Sequence, residues 1–244
     1  MSDGEAVDET GRPNIAVLAS ADGAADVVET VRAAGGVAGT ATAETVAGTD
    51  LVIAPAGDAI AALATADVAT PILPITDGLR PETAERLLDG QYTVTERPLV
   101  AVETDGGIAH ALSDVTLATA AAATISEFSL DRPDRSTPIA RFRADGVVVT
   151  TPAGSRGYAH AAGGPIVAHG SDVLTAVPIS PFATDPDHWV VPLTDLSLTV
   201  ERDDADVELL VDGRTVETVD PGAPVKLARA GTLPVVSLPD GDRE

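Results

Sequence analysis

The sequence predicts an α/β domain followed by an all-β sandwich domain, with the change falling near residues 89–98. Before that point, short apolar runs alternate with alanine-rich segments at helical spacing, which implies a parallel sheet with covered faces. After it, short β-type runs are separated by Gly, Asp and Pro turns, the pattern of two packed sheets. The 244 residues suffice for one large core or two smaller ones.

In the first region, residues 15–19 read as a buried strand and 24–34 as a helix ended by Gly35 and Gly36, a glycine C-cap. Residues 51–54 form a second strand, followed by a loop and helical spacing over 60–66. Residues 71–75 make a third short strand, and 81–88 a helix opening on Pro81, where the missing N–H removes no helix bond. In the second region, strands are expected at 93–95, 99–103, 116–118, 139–143, 147–150, 197–201, 207–211, 215–219 and 225–228. Asp212-Gly213 supplies a hairpin turn. Domains are thus expected at 13–92 and 93–238, with disordered tails over 1–12 and 239–244.

Composition excludes several function classes. Acidic residues number 38 against 15 basic ones, a net charge of −23 and a pI near 4.2, and Lys226 is the only lysine. Such a surface repels nucleic acid and anionic membranes, so neither is an expected partner. A hydrophobic fraction of 44% argues for a folded chain rather than a solvating one. The acidity then fits a protein kept soluble in concentrated salt, where screening weakens self-repulsion. There are no cysteines, which excludes disulfides, thiolate metal sites and cysteine nucleophiles. The four histidines form no ligand-spaced pair, so a zinc enzyme is not expected and no side chain is assigned to a metal. The acidic start, MSDGEAVDETGRP, is unlike a signal peptide, and no apolar run approaches the roughly 20 residues of a membrane span. The expected place is the cytoplasm of a high-salt cell.

Two stretches carry chemistry. The first is RADGVVVTTPAGSRGY at 143–158, followed by AGGPI at 162–166 and TAVPISP at 175–181. It resembles the NAD kinase family, whose signature is a D-G strand, then T-P-T-G-S-T-A-Y, A-G-G-P-I and T-P-I-C/S-P in that order. The second is LVIAPAGDAI at 51–60, similar to the strand leading into that family's G-G-D-G-T loop. In such a loop, backbone N–H groups approach a phosphate, while the Asp acts on the reacting hydroxyl or on magnesium. Gly57 and Asp58 match; Ala56, Ala59 and Ile60 replace two glycines and the threonine.

The resemblance covers roughly residues 50–230 and implies an NAD kinase-like fold, an α/β domain joined to a β-sandwich. It implies transfer of the terminal phosphate of ATP, or of polyphosphate, to the 2′-hydroxyl of the adenosine ribose of NAD. Magnesium would be required, and self-association as a dimer or tetramer is implied. Asp58 falls at the catalytic aspartate; an N-cap for the following helix is its other reading. Gly57 and Ala59 flank it. Ser113 and Asp114, in HALSDV at 110–115, stand where the family has A-L-N-E/D, whose polar pair holds the dinucleotide. Arg143 and Asp145 match a basic residue and a ligand-contacting aspartate, although Asp145-Gly146 taken alone is a hairpin turn.

Ser155, Arg156, Gly157, Tyr158 and Ala161 fall in the segment that by analogy lines the NAD site. Tyr158 offers an aromatic face or packs in the core. Arg156 and Gly157 replace the family's threonine and alanine, and Arg214 replaces a common glutamine. Each arginine either grips an anion or forms a surface ion pair. The family's N-x-G-x-L-G-F-L segment reads ITDGLRP at 75–81, keeping only Gly78. The donor half of the site thus departs further than the dinucleotide half. The rival reading is a weakened paralogue that binds NAD or NADP as a sensor or subunit, and a third is a kinase with another acceptor.

Overall fold

The computed structural model describes residues 12–19, 23–55, 58–66, 68–75, 78–121, 124–184, 186–202 and 205–239, without the side chains of Asp58, Ala61 and Thr65. The expected tails fall almost entirely outside these residues. The chain divides into two compact units, one comprising 1–97 with 232–244, the other Pro98–Gly231.

The first unit contains β1 (Asn14–Leu18), α1 (Ala24–Ala33), β2 (Val37–Ala41), β3 (Leu51–Pro55), α2 (Asp58–Thr65), β4 (Ile72–Ile75) and α3 (Pro81–Leu88). Its strands run parallel in the order β2-β1-β3-β4, as alternating strands and helices require. Ile15, Val17, Leu51 and Ile53 pack with Val27 and Val31 of α1 and Leu87 of α3. The Gly35-Gly36 cap is a Schellman motif: Gly36 N–H donates to the Val31 carbonyl at 3.0 Å and Gly35 N–H to that of Arg32 at 2.9 Å. No helix among the described residues is long and apolar enough to cross a membrane.

Two strands pass from one unit into the other, β5 (Thr93–Thr104) and the last strand, β16 (Pro224–Ser237). Between them in sequence lie β6 (Gly107–Ala111), β7 (Asp114–Thr119), β8 (Ser126–Asp131), β9 (Ala140–Ala144), β10 (Gly146–Thr150) and α4 (Tyr158–Ala161). Then come β11 (Val173–Ile179), β12 (Trp189–Pro192), β13 (Leu196–Arg202), β14 (Val207–Val211) and β15 (Arg214–Val219). The second unit is a sandwich. One sheet has the antiparallel order β12-β11-β10-β7-β14-β15; its partner holds β16-β13-β8-β9 with the β5–β6 hairpin. Phe128, Leu130, Leu198 and Val200 from one sheet meet Leu117, Val147, Val149 and Leu209 from the other.

Several expected boundaries change. Two short strands expected at 93–95 and 99–103 are one, β5, which runs through Pro98; the strand expected at 225–228 continues to Ser237 as β16. Asp145-Gly146 is not a hairpin turn, because β9 and β10 belong to different sheets and the pair is where the chain crosses between them. Gly146 is needed there: a Cβ would meet the Leu117 carbonyl and the Ala118 Cα of the neighbouring strand. Asp212-Gly213 does make the expected hairpin turn, with φ of 48° and 77°. Two consecutive left-handed residues identify it as type I′.

Candidate functional site

The second unit gathers its chemistry at one end of the six-stranded sheet. There the start of β7 lies beside the ends of β10 and β14, with Asp114 opposite Thr150. Leu112 and Ser113 form the whole link from β6 to β7. Asp212, in the β14–β15 turn, reaches this link from 99 residues away. Its carboxylate accepts N–H bonds from Leu112 (3.0 Å), Ser113 (2.7 Å) and Asp114 (3.0 Å). Its own N–H donates to the Asp114 carbonyl at 2.9 Å.

The opposite side of the link is held by the loop after β10. Thr151 Oγ1 donates to the Leu112 carbonyl at 2.6 Å, and the Ser113 carbonyl accepts from Thr151 N–H at 2.9 Å and lies 3.0 Å from the Thr150 hydroxyl. Gly154 sits against this junction so closely that a Cβ would meet the Ser113 carbonyl and come within 2.6 Å of Thr150 Oγ1. Ser155 is fully buried; its hydroxyl donates to the Pro152 carbonyl at 2.8 Å and accepts from Val167 N–H at 3.1 Å. That hydroxyl shapes the loop from within and is not available to a ligand, which revises the contact expected of Ser155.

With its base pinned, the loop presents Arg156, Gly157, Tyr158 and Ala161 outward; the first three are exposed and Ala161 is so as well. Tyr158 is 49% exposed, so its core-packing reading is set aside. α4 is anchored instead by Ala159, which packs on Val148 and Val177 of the sheet. Gly164 permits that approach, since a Cβ there would lie 2.6 Å from Val177 and 2.8 Å from the Ala159 carbonyl.

Asp114 has an unusual carboxyl group. Burial raises its pKa from 3.8 to about 6, the Asp212 carboxylate adds to the rise, and the Thr116 hydroxyl at 3.5 Å opposes it. The group is therefore mostly ionised at pH 7 and mostly protonated at pH 5. An ionised carboxylate with free lone pairs accepts hydrogen bonds from sugar hydroxyls.

The other expected residues are placed elsewhere. Arg143 and Asp145 precede β10 and so lie at its far end from Thr150, about 16 Å away for five residues of strand. There the Arg143 guanidinium stands 5.8 Å from the ring centre of Phe182, which is 72% exposed. Arg214 is exposed beside the Asp212-Gly213 turn. In the first unit α2 begins at Asp58, so this aspartate is the first helical residue and not a cap for a helix starting at residue 60. Ala59 is buried, 4% exposed, which removes its side chain from the ligand-contacting set. Gly57 lies outside the described residues. No group of three His, Asp or Glu side chains suited to a metal ion occurs among those described.

Asp212 is visible in the sequence only as half of a turn. Nothing local reveals that its side chain reaches residues 112–114.

A family profile described as the ATP-NAD kinase C-terminal domain matches residues 112–234, half of the chain. The chain belongs to the NAD kinase family. Among curated relatives, the NAD kinase of Methanosarcina acetivorans is 34% identical over 152 residues, covering 61% of this chain and 54% of the relative. That of Nitratidesulfovibrio vulgaris is 36% identical over 152 residues, covering 60% and 53%. The chain thus spans about half the length of the curated relatives it matches. Yeast NADH kinase, solved with NADH, aligns with a TM-score of 0.71 at 15% identity over 95% of this chain and 85% of that one. An NAD kinase from Archaeoglobus fulgidus, solved with ATP, aligns at 0.67 and 21% identity over 94% of each. At those identities the structural likeness establishes the fold, which agrees with the α/β-plus-sandwich expectation.

Proposed function

We propose that this chain is an NAD kinase, moving the terminal phosphate of ATP or polyphosphate onto the 2′-hydroxyl of the adenosine ribose of NAD. The observation that carries the reading is the junction of residues 112–114 with the 151–158 loop, which lies inside the family match and is pinned from both sides, by Asp212 and by Thr150 and Thr151. Asp114 and the exposed Arg156–Tyr158 edge would hold the dinucleotide. The ribose 2′-oxygen attacks the terminal phosphorus, the bond to the leaving phosphate breaks, and the hydroxyl proton passes to Asp58. A carboxylate suffices because phosphoryl transfer needs positioning more than a strong base. Magnesium, where it accompanied the donor's phosphates, would neutralise part of their charge; no side chain of this chain is assigned to it.

Arg143 and Asp145 stand at the opposite end of β10 from Ser113 and Asp114. Self-association, as a dimer or tetramer, would let one copy's pair serve another's site, and the cytoplasm of a high-salt cell is the setting this reading assigns.

A second reading is favoured by one observation: Ala59 and Ile60 are buried where the family's loop has glycine and threonine. A site so altered suits a sensor or subunit that binds NAD or NADP without turnover. Purified protein with NAD, ATP and magnesium in molar KCl, followed by enzymatic detection of NADP, separates the two. Steady NADP formation supports the kinase; NAD binding without NADP supports the sensor.

A further inference from the structure

We propose that Asp212 is a positioning residue of the dinucleotide site, its carboxylate fixing residues 112–114 through three consecutive main-chain N–H groups; the inference takes the functional reading above as given. Few side chains collect three adjacent amides. Asp212 does so from the first central position of the type I′ turn, where its φ is 48°, a left-handed value shared only with Ser180 among the described non-glycine residues. Aspartate and asparagine tolerate that conformation better than other side chains.

The consequence reaches Asp114. Thr116 on its own strand and Thr150 opposite on β10 are uncharged, and Asp212 is the charged group acting on it. Asp212 therefore fixes where Asp114 stands and adds to the rise in its pKa that burial causes. A residue with a purely architectural task would affect only the first.

The test uses the full chain in molar KCl. Asp212→Asn keeps the side chain's size and its tolerance of positive φ, but turns one acceptor oxygen into a donor and removes the charge. Carbon-detected NMR should place the wild-type Asp114 titration near 6 and move it to lower pH in the variant. Amide exchange at residues 112–114 should accelerate, and the NAD dissociation constant at pH 7 should rise at least about fivefold. The pH at which NAD affinity changes should fall together with the Asp114 midpoint, while thermal melting stays cooperative. An unchanged midpoint, or an unchanged NAD affinity, overturns the proposal. Should Asp212→Asn fail to fold, wild-type exchange decides: slow exchange at all three amides supports the clamp, and open-loop rates overturn it. Wild type that binds no NAD at any pH overturns the functional reading and the site role together. That outcome is recognisable because titration and exchange are read on the free protein.

Discussion

Asp114 carries a tension between stability and binding that substitution should expose. Its folded pKa, about 6, lies above the unfolded value of 3.8, so its favourable contribution is complete below the unfolded value and lost as pH rises through about 6. At neutral pH the buried charge then costs about 2–3 kcal/mol, because a tenfold change in an ionisation equilibrium is worth about 1.4 kcal/mol. Asp114→Asn should melt higher than wild type above pH 6 and bind NAD more weakly, which paired melts and calorimetry at pH 5 and 7.5 would check. Arg156 is exposed, and none of the ion pairs found among the described residues involves it. Its guanidinium suits a ligand with an extra phosphate, so wild type should hold NADP more tightly than NAD. Arg156→Thr should narrow that preference about tenfold, and equal affinities unaffected by the change would leave it a surface residue. Ser113, Asp114 and the 151–158 segment are legible in the sequence because their order along the chain is distinctive. Asp212 and the buried task of Ser155 are not, since both depend on partners brought near only by folding.

At the scale of elements, the loop after β10 works because glycine removes bulk where two segments touch. Gly154→Ala would drive a methyl group into the Ser113 carbonyl and the Thr150 hydroxyl. The expected result is a loss of about 1–3 kcal/mol in stability and a larger proportional loss of NAD affinity, measured by denaturant melts and calorimetry. Strong apolar runs such as 51–54 and 147–150 announce their strands, and their burial on both faces follows in the first from a covered parallel sheet and in the second from α4 lying on the outer face of the sandwich. β2, with sequence VAGTA, and β12, with WVVP, are not apparent from sequence because edge strands need little apolar alternation and tolerate Gly and Pro. β8, SEFSLD, is hidden for another reason: Ser126 and Ser129 are buried among its apolar residues, so polar character there does not mark the solvent side.

At the scale of the whole molecule, 38 acidic residues against 15 basic ones leave most carboxylates without a basic partner. Arg141 answers two of them, Glu127 at 2.7 Å and Glu201 at 3.3 Å, and Lys226 answers Glu103 at 2.9 Å; all three contacts lie at the surface and contribute little. If dissolved salt is what relieves this self-repulsion, the melting temperature should climb steeply between low salt and molar KCl. A melting temperature indifferent to salt would remove that account of the acidity. The central claim, a phosphoryl transfer served by Asp58, is tested most directly by comparing wild type with Asp58→Asn for NADP formation from NAD and ATP in molar KCl, with NAD affinity measured in parallel. The account predicts NADP from wild type, a fall of roughly two orders of magnitude or more in the variant, and NAD affinity within a few-fold in both. Equal turnover by the two proteins, or wild type that binds NAD and forms no NADP, would contradict it.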